Sequence, residues 1–176
     1  MADIRTRVEE DQGLLKKIQM FVPGFRGYRK KEDLRDADKM LRMQLSQKLG
    51  MQRRSLEDCR MLITKTFGSK PLEVLGGVIN QLKKVEGEVA HAEMGYSGIS
   101  ADIQIKEDEL NRLYEYDAGL IGDVSMISQS IEQLKINLAS QDDPKSLVSL
   151  AEIRGKVTEF EDLFNRRMTV IEGTEV

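Results

Sequence analysis

The chain has no tryptophan, one histidine, one cysteine and three prolines in 176 residues, and aromatic side chains make up only 5% of it. Each shortage closes off a class of explanation. A lone Cys59 has no partner for an intramolecular disulfide. Its place on an apolar stripe predicts a small buried hydrophobe rather than a reactive thiol. A lone His91 follows Glu88 at the Glu-x-x-His spacing of carboxylate-bridged di-metal bundles, but such a site takes two of these motifs and two further Glu. No metal or cofactor is therefore expected. No apolar run reaches the ~18 residues that cross a bilayer. The charged start, Met1-Ala2-Asp3-Ile4-Arg5, does not have the form of a secretion signal, so a cytoplasmic location is expected.

Nothing in the sequence assembles a nucleophile. A Ser-His or Cys-His pair would have to use His91, and no elbow or activated thiol lies near it. Gly24-Phe25-Arg26-Gly27 is too poor in glycine for a phosphate loop and is not followed by Lys-Ser/Thr. A non-enzymatic protein is expected, with no small-molecule substrate evident.

What the chain does have is charge and periodicity. Charged residues make up 32%, and they are unevenly placed. Residues 1–54 carry 14 Lys/Arg against 8 Asp/Glu, and the remainder carries 13 against 22. Such asymmetry serves packing of the two halves or steers an anionic partner.

The organising stretch runs from Phe21 to Phe67. Val22-Pro23-Gly24-Phe25-Arg26-Gly27-Tyr28 breaks any helix, because proline lacks a donor and the glycines admit dihedrals other residues avoid. From Leu34 onward Ala37, Leu41, Leu45, Leu49, Leu56, Cys59, Ile63 and Phe67 recur at helical spacing. A helix over 29–66 would approach ~60 Å at ~1.5 Å per residue. Before the break, Ile4, Val8, Leu14 or Leu15, Ile18 and Phe21 give residues 3–21 an imperfect stripe. Lys16-Lys17 beside apolar neighbours could suit a membrane surface, but Glu9, Glu10 and Asp11 favour a packed bundle helix.

Gly68-Ser69-Lys70-Pro71 ends the long helix and starts a third, Ser69 suited to cap it and Pro71 to its first turn. That helix carries Leu75, Val78, Leu82, Val85, Val89 and Ala92, with Gly76-Gly77 expected to let a neighbour approach. Gly95-Tyr96-Ser97-Gly98 interrupts it, and 99–105 reads as an ordered connection. The fourth helix has the clearest seam: Leu110, Leu113, Asp117, Leu120, Val124, Ile127, Ile131, Leu134 and Leu138 alternate steps of three and four. After Asp142-Asp143-Pro144 a fifth follows with Leu147, Leu150, Ile153, Val157, Phe160, Phe164, Met168 and Ile171. The expectation is an all-α, elongated up-and-down antiparallel bundle with coiled-coil-like seams, a short N-terminal helix plus four long ones. It should form one domain over 1–172, with a polar tail at 173–176.

Two clusters stand out. Arg26, Arg29, Lys30, Lys31 and Arg35 with Phe25 and Tyr28 could bind phosphates and stack bases, although Glu32, Asp33, Asp36 and Asp38 are spaced to pair with the same cations. Asp117 sits on a seam, where an isolated carboxylate would be costly, so it needs a partner. Arg26, Arg29 or Tyr28 of the break is the expected donor, with Gly119 and Gly122 admitting the break's backbone. Met20, Met40, Met43, Met51, Met61, Met94, Met126 and Met168 are many for this length and suit gap filling or an adaptable contact surface, and Met40 and Met43 widen the apolar face of the long helix beside Leu41. Together these predict a scaffold or adaptor acting through a protein partner or a homo-oligomer. The alternative is a module binding nucleic acid or a membrane surface through 26–35.

Pro23-Gly24-Phe25-Arg26-Gly27-Tyr28, followed by Arg35-Asp36-Ala37-Asp38-Lys39-Met40-Leu41-Arg42, resembles an uncharacterised prokaryotic family of helical-bundle proteins. Gly95-Tyr96-Ser97-Gly98 and Leu113-Tyr114-Glu115-Tyr116-Asp117 are similar to its second half. The resemblance implies no catalytic residues. It implies that the break, the Gly-Tyr connection and Asp117 form one site.

Overall fold

The computed structural model describes residues 4–28, 31–66, 69–92 and 107–172. The described residues form five α-helices: α1 (Ile4–Phe21), α2 (Lys31–Thr66), α3 (Ser69–His91), α4 (Glu107–Ala139) and α5 (Asp143–Glu172). The protein is an all-α helical bundle. At ~1.5 Å per residue α2 is ~54 Å long. No helix among the described residues is long and apolar enough to cross a membrane.

The stripes face inward. Leu41, Leu45, Leu49, Leu56 and Ile63 of α2 are fully buried, as are Leu75 and Leu82 of α3, Leu120 and Ile127 of α4, and Val157 and Phe160 of α5. They belong to one hydrophobic cluster that runs through all four long helices and takes in Ile18 of α1. Cys59 is buried in it, and burial pushes its thiol up to about 11.

Direction alternates along the chain, but the neighbours are not all antiparallel. Helices α2 and α3 form one hairpin, with Arg42 reaching the Val89 carbonyl and Ser46 that of Glu86. Helices α4 and α5 form another, with Asp117 meeting Arg167 at one end and Asn137 meeting Ser149 at the other. Between hairpins the numbering rises together. Gln52 meets Val124 while Cys59 feels Glu132 and Lys135; Gln81 meets Thr158 and Lys84 meets Glu161. So α2 lies parallel to α4, and α3 parallel to α5. Helix α1 packs on α4.

The turn between α4 and α5 shows how a helix can end without glycine. Gln141 N–H donates to the Leu138 carbonyl and Asp142 N–H to that of Asn137, both at 3.1 Å, with Gln141 at a φ of 57°. This left-handed closure satisfies carbonyls that the helix end leaves free. Asp142 then caps α5, its Oδ1 accepting the Lys145 N–H at 3.0 Å.

Gly76 and Gly77 do not admit a neighbouring helix. A Cβ on Gly77 would meet nothing within 4 Å, and one on Gly76 only the tip of Arg60 at 3.8 Å. The α3 residues that meet α2 and α5 lie on other faces of the helix, so this expectation is corrected.

Candidate functional site

The break between α1 and α2 is a folded element. Val22, Phe25 and Tyr28 turn inward, while Pro23, Gly24 and Arg26 face solvent. Two backbone bonds, Val22 N–H to Ile18 O and Phe25 N–H to Val22 O, start the turn, and Gln19 Nε2 donates to the Phe25 carbonyl. Gly24 and Gly27 take φ of 85° and 89°, a region that costs other residues ~1–2 kcal/mol. At Gly27 space adds to backbone: a Cβ would lie 2.7 Å from the Tyr114 Oη. That same hydroxyl accepts the Tyr28 N–H at 2.9 Å. The Tyr28 ring is packed edge-on against Phe25 at 5.3 Å and tilted against Tyr114 at 5.1 Å.

These contacts deliver the Tyr28 hydroxyl to Asp117, to which it donates. Asp117 has no solvent exposure. Its second donor comes from the far end of the chain. Arg167 Nε donates to Asp117 Oδ1 at 2.5 Å, while its Nη1 donates to Asp38 Oδ1 at 2.5 Å and its Nη2 to the Tyr28 hydroxyl oxygen at 3.3 Å. Asp38 Oδ2 accepts Arg42 Nε at 2.7 Å, and Arg42 Nη1 reaches the Val89 carbonyl on α3. Two arginines, two aspartates and a tyrosine thus tie α2, α3, α4, α5 and the break together inside the bundle. The formal charges cancel.

Burial pushes the Asp117 carboxyl up from its ordinary value, with the Arg167 charge and the Tyr28 hydroxyl pulling against it. The Tyr28 phenol is held well above its usual range by burial first and the Asp117 charge second. Burial works against the charge of Arg167, but Asp117, Tyr28 and Asp38 outweigh it and hold the guanidinium well above its ordinary value. Inside the network the tyrosine therefore stays protonated and the guanidinium stays charged.

Of the candidate donors to Asp117, Tyr28 reaches it. Arg26 is exposed, and Arg29 lies outside the described residues. The cation is Arg167, a position that an apolar stripe drawn through Met168 skips. The signal was present: continuing the alternation of three and four from Leu150, Ile153, Val157, Phe160 and Phe164 lands on 167 and then 171. Asp38, three residues before Leu41, also faces inward, where it pairs with Arg42 and Arg167. The two glycines of α4 do not admit the break. A Cβ on Gly119 would lie 2.8 Å from Leu163 Cδ2 of α5, and one on Gly122 would lie 3.8 Å from Lys17 Nζ of α1.

In the basic segment, Arg26 and Arg35 are exposed, Lys30 lies outside the described residues, and the side chain of Lys31 is not described. Glu88 and His91 are both exposed, and no group of three or more His, Cys, Asp or Glu suited to a metal occurs among the described residues. The Gly95-Tyr96-Ser97-Gly98 connection, which the resemblance joins to this site, also falls outside them.

No family model matches this chain, and neither a curated protein nor a solved structure does.

Proposed function

We propose that the chain is a non-enzymatic helical scaffold or adaptor of the cytoplasm that works through contact with a protein partner or a second copy of itself. The observation that carries this reading is the exposed apolar set on α2. Met43, Met51 and Met61 are 60%, 51% and 67% exposed on a helix whose opposite side is packed into the core. Met43 and Met61 are five turns apart at ~3.6 residues per turn and so share one face. Methionine offers a polarizable, adaptable contact surface. The buried ion network supports the same reading, since it fixes the relative placement of the helices through buried side chains.

Light scattering coupled to size exclusion, followed by cross-linking and pull-down, tests it. Assembly or capture that is lost in Met43→Lys/Met61→Lys, with helicity unchanged, is the expected result. A strict monomer that recovers no partner overturns it.

A second reading, binding of an anionic polymer or membrane surface through 26–35, draws on the exposed Arg26 within the anchored break and the exposed Arg35 beyond it. Its signature is affinity that falls steeply with salt as counterions are released. Absence of binding to RNA, DNA or anionic liposomes at low salt removes it.

A further inference from the structure

Beneath α1 lies an open groove of about 590 Å³, bounded by α1, α2 and α4. Its size falls within the ~300–1,000 Å³ of small-molecule sites. The apolar surface comes from Phe21, Ile121 and Val124, with Met20 at the edge. Ile121 and Val124 are core residues, so the floor is rigid, whereas Met20 is 81% exposed and free to fold over an occupant. The polar side is all of one sign. Lys16 and Lys17 of α1 face the groove with Lys48 of α2, and no acidic residue lines it among the described residues. None of these lysines makes an ion pair with a described side chain, although the charge of Lys17 acts on Asp123 of α4.

One buried group in the wall is incomplete. Gln52 donates from Nε2 to the Val124 carbonyl at 2.6 Å, which fixes its amide, and its Oε1 then has no donor. A buried acceptor left unmade costs ~1–3 kcal/mol, and Gln52 is only 7% exposed. An ionised carboxylate head only accepts, so that donor has to come from a water that accompanies the head.

We propose that this groove binds a small anionic amphiphile, an aliphatic body carrying one carboxylate or phosphate head. The body lies on Ile121 and Val124 beneath Met20, and the head is held by Lys16, Lys17 and Lys48. Three lysines from two of the bounding helices beside an apolar floor of Ile121 and Val124 suit an anionic head on an aliphatic body and disfavour a cationic one. This site is independent of the contact face on α2 and stands whether or not that face has a partner.

The test is titration of the full chain with decanoate below its micelle concentration, followed by calorimetry and methyl NMR. Decyltrimethylammonium, acetate and anionic phospholipid vesicles serve as comparators. Saturable decanoate binding that moves the Ile121 and Val124 methyls is expected, with the cationic amphiphile at least about tenfold weaker and acetate silent. Lys17→Glu/Lys48→Glu should weaken decanoate about tenfold or more, and Ser125→Trp, an exposed lining position, should block it; circular dichroism confirms the fold of each. Equal binding of both amphiphiles, binding indifferent to the Ser125→Trp plug, shifts confined to the α2 methionine face, or association with vesicles alone would each overturn the proposal.

Discussion

Arg167 of α5 and Asp117 of α4, fifty residues apart in sequence, meet as a 2.5 Å ion pair with neither side chain exposed to solvent. Removing two charges from water costs several kcal/mol per ion, so the pair holds only because each group has further partners. Asp117 has the Tyr28 hydroxyl, and Arg167 has Asp38.

Truncating one side of such a pair leaves the other buried and uncompensated, at a cost of ~3–5 kcal/mol. Asp117→Ala should lower the chemical denaturation midpoint accordingly. Asp108→Ala, an exposed change in the first turn of the same helix, should stay within ~0.5 kcal/mol. Equal midpoints for the two variants would contradict the burial of Asp117.

Arg167→Met should be at least as damaging, because it leaves Asp117 with no cation and takes from Asp38 one of its two. Adding Asp117→Leu to it should recover part of the loss, since well-packed apolar replacements of buried ion groups are often neutral or better. Double-mutant analysis of the two changes reads the coupling directly. Strictly additive effects would show that the two residues do not act as a pair.

Tyr28→Phe removes a donor from Asp117 and should cost ~1–3 kcal/mol. The phenol also sets a pH dependence. Its native pKa lies well above the ordinary value of 10.0, so above pH 10 the unfolded chain releases this proton while the native chain keeps it. The native state then binds more protons, and stability falls as pH rises through that window. In the wild type, Tyr28 should ionise only as the protein unfolds in alkali, read as a cooperative absorbance step near 295 nm. Tyr28→Phe should lose this share of the alkaline destabilisation. A Tyr28 that titrates near 10 in the folded protein would exclude the buried network.

Gln141 holds a φ of 57° while closing α4. Glycine adopts that conformation without the Cβ penalty, so Gln141→Gly should raise stability by up to ~1 kcal/mol. A destabilised variant would mean that the Gln141 side chain contributes more than its backbone strain costs.

Much of this molecule was written in spacing. Alternating steps of three and four on α3, α4 and α5 dictate which face is apolar, and burial of that face follows from the hydrophobic effect, whatever the neighbour. Asp117 was conspicuous for the same reason, as the one acidic residue on an otherwise apolar seam. Its partner was not, because a pattern read through apolar residues passes over Arg167, whose position on the stripe matters only once Asp38 and Asp117 are brought opposite it. Pairing of the hairpins was equally hidden. Local periodicity specifies that a helix has a buried stripe but not which stripe it meets, so the parallel α2/α4 and α3/α5 neighbours are decided by tertiary packing. The glycines make the same point at smaller scale: Gly27 was legible as a turn residue from Arg-Gly-Tyr, whereas the fit of Gly119 against Leu163 depends on how closely α5 lies along α4. Sequence determined the helices, their inward faces and the need of Asp117 for a partner. Only the folded chain, by placing α5 across from both α2 and α4, decided that the partner is a cation from residue 167.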